Sequence, residues 1–451
     1  SSPRGRRNPK VVISPEEEET LNHMTKVIIL RGLIDPNYNW WAQSDKLVDK
    51  SGILFFNHLV SKHQKPFIPI KLLHVSGYLV TDVRYIEIIL NHSPYIFNVG
   101  ELKYNFFKSF MKYNVGVSTG CPWERRRQVN TSTLFTDGKH CNVDLYDKFI
   151  YGIIHCHHLP SNFEDFLNLA KKIATKIVFN KDTPAKPIFD VLAYANSFKP
   201  FEKKDFKVPE KLHQAYLTYM KDSIQHPVKD SLVGISTIMY QQMKSKREMT
   251  ELELVHQIPH WIFPIASAIH TTVPRLLLLL YNHPDKLQQV ATEINEIYSP
   301  HHPKTIYHLK YLKKCILEAF RINNNVVSLF RKLEQDFTFD KHYSFKKGSQ
   351  FFILTNPILR SEKYFDNPDE FIPERWHGGT DTKKYAALSF SRGPQKCPGK
   401  EITIFVITSF IVHLFEKAGI TQNIKRLRTK KINVTDISHA INPCEIQIAY
   451  T

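Results

Sequence analysis

Residues Ser389 to Glu401 read SFSRGPQKCPGKE. One thiol, Cys397, sits in a loop stiffened by Pro394 and Pro398 and turned at Gly393 and Gly399, directly before the apolar run ITIFVITSFIVHLF. A thiolate is a strong, electron-rich ligand for iron. To serve as one it needs a fixed loop and donors that temper its charge. The spacing Phe390, Gly393, Cys397, Gly399 offers both. Glycines let the loop turn with amides aimed at sulfur, and the helix that starts after Gly399 adds its positive end. Phe390 can pack beside the sulfur and shield it from water. Taken alone, the pattern also fits a structural thiol.

Two further groupings have chemistry in their spacing. Trp123 and Arg127, in WERRR, stand at i and i+4. Their indole N–H and guanidinium share a helical face and can reach one carboxylate; a basic helix with a buried tryptophan fits the same residues. Glu318 and Arg321, three apart, can pair on one face as well, which by itself is most often a surface pair.

In this order along the chain, the segments resemble the cytochrome P-450 superfamily. F-x-x-G-x-x-x-C-x-G from Phe390 to Gly399 is similar to its haem-thiolate loop, and Glu318-Ala319-Phe320-Arg321 to the E-x-x-R of its K helix. FIPERW, ending at Trp376, is similar to its P-E-R-F element, with Arg375 completing a Glu–Arg–Arg lock; Trp123 to Arg127 is similar to its W-x-x-x-R. HPDKLQQVATEI and YLKKCILEAFR resemble its J and K helices. The likeness runs from about residue 65 to 450 and is weakest over about 95 to 245.

The resemblance implies a mainly α fold with small β-sheets, built as a single large domain over 51–451 around haem b (iron protoporphyrin IX). Cys397 is the implied iron ligand. Trp123, Arg127, Arg331 and Gln395 are the implied propionate contacts, Phe390 and Gly399 surround the thiolate, and Ala268 and Thr272 face the cofactor from the distal helix. The lock is implied as scaffold rather than catalysis.

Departures from the family pattern bear on mechanism. Gln395 stands where the family usually has Arg or His, so one propionate contact loses its charge, and Ser389 replaces the usual proline before Phe390. The distal (A/G)-G-x-(D/E)-T-T aligns with Ser267-Ala268-Ile269-His270-Thr271-Thr272. The threonine is kept and the acid has become histidine. Thr271 is the implied residue for steering proton delivery. His270, with an unperturbed pKa of about 6.5, is expected either to relay protons or to be a core or surface histidine without that duty.

The implied function is haem-dependent monooxygenation, with one atom of O2 entering an apolar organic substrate and the other becoming water. The cofactor does the hard chemistry and the protein supplies ligand, orientation and exclusion of water. No G-x-G-x-x-G flavin or NAD fingerprint and no Fe–S cysteine cluster is present, so electrons are expected from a separate reductase or ferredoxin. A peroxide-using or rearranging haem-thiolate enzyme, and a haem-binding or sensing protein without catalysis, stay open. The missing distal acid motivates the first, and Thr271 argues against both. Sterols, fatty acids, terpenoids and xenobiotics are all open as substrates.

The elements that must position these residues are mostly helical. FIPIKLLHVSGYLVTDVRYIEIIL predicts two short strands running into a helix. Glu251 to Tyr281 predicts a long apolar helix interrupted by Pro259, Pro264 and Pro274, each able to kink it. Asp285 to Tyr298 and Leu309 to Ile322 have helical periodicity, and Asp336 to Leu354 alternates like a hairpin. The chain has 451 residues, 42% of them hydrophobic, and a formal net charge of +18 from 61 Lys+Arg against 43 Asp+Glu. That balance favours an acidic protein face or an anionic membrane, and also fits a solvated basic surface; no nucleic-acid motif accompanies it. A peripheral membrane contact stays open. The cysteines at 121, 141, 156, 315, 397 and 444 form no C-x-x-C, and all but Cys397 are expected as ordinary buried thiols. No run of about 18 apolar residues occurs, so the chain is expected to be soluble as given. It starts with Ser, and residues 1–50 are expected as an extension or the remnant of a leader or anchor.

Overall fold

The computed structural model describes residues 13–19, 50–72, 74–135, 142–196, 206–324, 328–377, 387–429 and 443–451. Most of the expected extension at 1–50, and Cys141, lie outside the described residues. From the N-terminal side the elements are α1 (Lys50–His63), β1 (Phe67–Leu72), β2 (Val75–Val80), α2 (Val83–Asn91), β3 (Phe97–Val99), α3 (Glu101–Met111), α4 (Gly120–Leu134), α5 (Val143–Cys156), α6 (Phe163–Phe179), α7 (Lys186–Asn196), α8 (Glu210–Gln225) and α9 (Leu232–Ser245). The long helix α10 (Glu251–Tyr281) follows, then α11 (Pro284–Ile297), α12 (Lys310–Ile322), β4 (Ser328–Leu333), β5 (Phe337–Thr338), β6 (Ser344–Phe345), β7 (Gln350–Leu354), α13 (Thr355–Leu359), α14 (Lys400–Ala418), β8 (Leu427–Thr429) and β9 (Ile448–Tyr450). The result is the expected mainly α fold with small sheets.

The expected strand–strand–helix at the start is present as β1, β2 and α2, and α11 and α12 occupy the two periodic segments. The single hairpin over 336–354 is not formed. β5 pairs with β6 through Phe337 and Phe345, while β7 leaves for a five-stranded sheet of order β1-β2-β7-β4-β3. All five residues of β7, QFFIL, are buried, so it takes neighbours on both edges: β4 antiparallel and β2 parallel. This register sets Arg331 of β4 between Val99 and Phe351.

Helix α10 is the spine of the helical part. A capping box opens it: the Glu253 N–H donates to Thr250 Oγ1 at 3.3 Å and the Thr250 N–H donates to Glu253 Oε2 at 2.8 Å. By length and composition this helix is apolar enough to cross a membrane, yet 94% of its apolar window is buried inside the protein. Pro264 and Pro274 each remove an amide donor, and between them Ala268–Thr272 forms a π-turn. α10 packs against α6 and α14, and α14 packs against α5 and α12. Of the cysteines, Cys315 is buried and Cys444 partly so, but Cys121 and Cys156 are exposed. Cys121 lies in the first turn of α4 and Cys156 ends α5, where neither is on the packed face.

Two buried polar clusters fix the helices. In the first, Glu318 of α12 accepts from Arg321 Nε (3.0 Å) and Nη2 (2.8 Å), from Arg375 Nε (3.0 Å), from the Trp376 indole (2.8 Å) and from the Ile372 amide (3.0 Å). Arg321 also donates to the carbonyls of Leu359 and Pro368. In the second, Asp147 of α5 accepts from Ser409 Oγ (2.6 Å), His413 Nε2 (2.9 Å) and Tyr298 OH (2.8 Å). Glu416 Oε2 stands 3.4 Å from the other His413 nitrogen. Burial works against a charged imidazole there, but the bonds and charges of Asp147 and Glu416 outweigh it and raise the His413 pKa above its ordinary value.

Glu318→Ala leaves the buried Arg321 and the partly buried Arg375 guanidiniums without their carboxylate. Removing one partner of a buried charged pair costs about 3–5 kcal/mol, comparable to the margin of about 5–15 kcal/mol that holds a domain folded. Folded protein recovered by size exclusion is expected to fall several-fold, and an unchanged yield and melting temperature would show the cluster to be dispensable. For His413, the raised folded-state pKa means the stabilisation is complete below the free imidazole value of about 6.5 and is lost as pH rises through the folded value. The Tm gap between the parent and His413→Phe should therefore be widest below about pH 6.5 and narrow as pH rises through the folded-state value.

Candidate functional site

The loop before α14 is built by its backbone. The Cys397 amide donates to the Phe390 carbonyl at 2.8 Å and the Lys396 amide to the Gly393 carbonyl at 3.0 Å. Gly393 has φ +73°, and a Cβ there would lie 2.3 Å from the carbonyl oxygen of Leu90 at the end of α2. Only glycine permits both the turn and that approach. Phe390 packs on Phe320 of α12, ring centroids 4.9 Å apart. The loop is thus pinned to α2 on one side and to α12, the lock helix, on the other.

Cys397, Phe390 and Gln395 line a cavity of about 300 Å³. Burial pushes the Cys397 thiol up, while the amides of Gly399 and Lys400 and the charges of Arg127 and Lys400 pull the other way. Every polar influence around the sulfur therefore favours the thiolate, and only desolvation opposes it. A cation bound to the sulfur would remove that opposition and leave the thiol deprotonated.

From the opposite side α4 brings Trp123 and Arg127, and β4 brings Arg331. Arg127 Nη1 donates to the Lys396 carbonyl at 2.8 Å, tying α4 to the cysteine loop. Arg331 is buried, donating to Ser93 Oγ (3.0 Å) and the Phe330 carbonyl (2.9 Å), and burial pushes its pKa down to about 10. Arg126, between the two residues of the motif, turns away to Glu253 and Ser118. Lys103 of α3 completes the cations of the cavity, and no carboxylate lines it among the described residues. This donor set, a thiol with amide donors on one wall and several cations with an indole on the others, fits haem: an iron for the sulfur and two propionates for the cations.

Helix α10 forms the remaining wall through His260, Phe263, Pro264, Ser267 and Ala268. Their spacing of three and four continues to residue 271 in an unbroken α-helix. Thr271 is nevertheless not among the lining residues, because the π-turn at 268–272 shifts the phase. Its Oγ1 donates back to the Ser267 carbonyl at 2.6 Å. Thr272 and His270 do not line the cavity either, and Gly399 acts from behind, as the N-cap of α14. The expectation that His270 titrates near neutrality is corrected. It is buried, bonded through Nδ1 to the Ala266 carbonyl (2.7 Å) and set edge-on to Phe163, and burial above all pushes its pKa down to about 3.

The sequence motifs pass over Lys103, His260, Ser267 as a wall residue and the Trp376 indole on Glu318. The signal for Lys103 was local: three and four residues after it stand Phe106 and Phe107, so its amine lies on the apolar face of α3.

The family model for cytochrome P450 matches residues 140–420. Among curated relatives, the chain is 26% identical over 182 residues to probable cytochrome P450 4aa1 of Drosophila melanogaster, covering 39% of this chain and 36% of that protein. It is 29% identical over 156 residues to cytochrome P450 4V2 of Rattus norvegicus, covering 33% of this chain and 30% of that one. It is 32% identical over 147 residues to 7,8-epoxymelianol synthase CYP88A51 of Citrus sinensis, covering 31% of this chain and 29% of that one. The matched segments thus span about a third of these relatives' lengths. With the family model covering more than half of the sequence, and a thiol, a Glu–Arg–Arg lock and a cationic cavity assembled in its structure, the chain belongs to the cytochrome P450 family.

Proposed function

We propose that the chain is a haem-thiolate monooxygenase that inserts one atom of O2 into an apolar organic substrate, with electrons from a separate redox partner. The observation that carries this reading is the meeting of Cys397 with Trp123, Arg127 and Arg331 around one cavity that has no carboxylate among its described residues. Cys397 would hold the iron of haem b, and Trp123, Arg127, Arg331 and, without charge, Gln395 would hold its propionates. Bound haem supplies the activation of O2, which no side chain can provide. Phe106, Phe107 and Phe263 offer the apolar wall against which a substrate lies and from which water is excluded. Ala268 remains a proposed cofactor neighbour on α10, whereas Thr272 does not line the cavity, and Phe390 and Gly399 remain the proposed shield and cap of the sulfur.

Proton handling falls to hydroxyls rather than to an imidazole. Ser267 lines the cavity, and Thr271, which does not, is tied to it by the Oγ1–H bond to the Ser267 carbonyl and remains the proposed residue for steering proton delivery. His270 Nδ1 must carry a hydrogen to meet the Ala266 carbonyl, which ties that nitrogen to the helix backbone. Lys396 is exposed and Lys400 and Lys313 partly so, close to the thiolate loop; they fit an acidic electron donor docking there. A peroxide-using enzyme is the second reading, favoured by a buried His270, held uncharged near neutral pH, at the position of the family acid.

In the reduced CO complex the parent is expected to show the red-shifted spectrum of a thiolate ligand. Cys397→Ser should abolish it and Cys315→Ser should leave it; a parental spectrum in Cys397→Ser refutes the ligand. His270→Phe should match the parent in product formed per NAD(P)H, and neither protein should show an imidazole-like step between about pH 6 and about pH 8. Thr271→Ala should release more peroxide per electron consumed. A loss of coupling in His270→Phe with a step near neutrality would restore the relay. Turnover with peroxide alone, exceeding that with reductase, would favour the second reading.

A further inference from the structure

Gln257 stands one turn beyond Glu253 on α10 and is fully buried. Its side-chain amide uses every hydrogen-bonding position it has. Nε2 donates to the Glu253 carbonyl (2.7 Å) of its own helix and to the Tyr113 carbonyl (2.8 Å). Oε1 accepts from the Val115 amide (2.9 Å) and from Asn130 Nδ2 of α4 (3.1 Å). A backbone N–H only donates and a carbonyl only accepts, so these partners fix which way the amide faces. His256, beside it, meets the same stretch of chain. Its Nδ1 accepts from the Tyr113 amide at 3.2 Å, its carbonyl accepts from Asn114 Nδ2 at 3.1 Å, and its ring stacks on Tyr113. The stretch so held joins α3 to α4, and its Val115 and Gly116 line the cavity. Asn130 also accepts from the Trp261 indole at 2.7 Å, so α10 grips the stretch and α4 together.

We propose that Gln257 is a positioning residue that makes Val115 and Gly116 a rigid wall of the cavity and thereby limits the size of ligand it admits. A wall held only by apolar contact yields to a larger guest, whereas this one moves only if directional bonds to buried backbone groups break. Without Gln257, the Val115 N–H and the Tyr113 carbonyl lose their partners, and the stretch gains by turning those groups towards water. The guest that the wall selects rests on the haem-thiolate reading; the clamp itself does not.

The test uses the full chain purified with haem, as parent, Gln257→Met, Gln257→Glu and His256→Phe. The parent's CO spectrum is recorded first, so that failure of the haem-thiolate reading is seen independently. Association rates of CO and of tert-butyl isocyanide with the reduced protein then report access for a small and a bulky ligand, neither of which titrates. Hydrogen exchange over residues 112–119 follows the stretch without reference to the haem. Gln257→Met, close in volume but without the four bonds, should lower the CO-to-isocyanide rate ratio about tenfold and speed the exchange about tenfold. Gln257→Glu separates hydrogen bonding from packing. As the neutral acid it can accept from Val115 and donate to one carbonyl; ionised, it faces the Tyr113 and Glu253 carbonyls with no donor. Burial raises the pKa of such an acid, so its ratio should be parental near about pH 5 and equal to that of Gln257→Met by about pH 9. The parent has the same charged and titratable neighbours, His256, His213, Arg126, Lys112 and Glu253, and should show no such step. His256→Phe, which keeps the ring on Tyr113 and loses the acceptor, should shift the ratio in the same direction as Gln257→Met. A parental ratio at every pH in Gln257→Glu overturns the proposal, as does faster exchange with an unchanged ratio in Gln257→Met. Should Gln257→Met fail to fold, Gln257→Glu across the pH series and His256→Phe decide by the same criteria.

Discussion

Glu318 is fully buried and receives five hydrogen bonds, from Arg321, Arg375, Trp376 and the Ile372 amide. A lone buried carboxylate is costly to keep charged, and these donors are what make it tolerable. They also join α12 to the segment ending at Trp376. Two residues along the same helix, Phe320 supports Phe390, and the Phe390 carbonyl holds the Cys397 amide. The position of the sulfur is therefore inherited from one carboxylate through a helix, a ring pair and a backbone bond. Without the carboxylate, α12 would keep its helical propensity but lose its reason to sit where it does.

The cavity shows the opposite charge logic. Its described walls have Lys103, Arg127 and Arg331 and no acid, although the chain has 43 acidic residues to draw on. Buried Arg331 is met by Ser93 Oγ and the Phe330 carbonyl, and half-buried Arg127 donates to the Lys396 carbonyl. Neutral acceptors satisfy geometry and leave net charge behind. Such a cavity favours an anionic guest over a cationic one.

The parts legible in the sequence were those whose chemistry is fixed by short spacing. Cys397 with its glycines, Glu318 with Arg321, and Trp123 with Arg127 are each local patterns, and local geometry follows from helix or turn periodicity. What escaped depends on neighbours distant in the chain. Cys121 and Cys156 read as core thiols because cysteine is usually buried, yet their helix ends face out. His270 read as titratable because the free imidazole is, but Phe163 and the interior of α10 decide otherwise. The hairpin over 336–354 failed because alternation says nothing about which partner a fully buried strand will take. The π-turn in α10 had a trace in Pro274, which lacks an amide donor, but its effect on the phase of Thr271 is visible only against the cavity.

Helix α10 has a consequence for how the chain is made. Emerging from a ribosome, Glu251–Tyr281 is by length and composition apolar enough to need cover as soon as it is made. One of its covers, α14, does not begin until Lys400. At synthesis rates of about 5–20 residues per second, the helix waits on the order of ten seconds for that cover. The partners made before it, α6 among them, must shelter it in the interval. The order of the chain therefore asks the N-terminal helices to cover the spine before the cysteine loop exists.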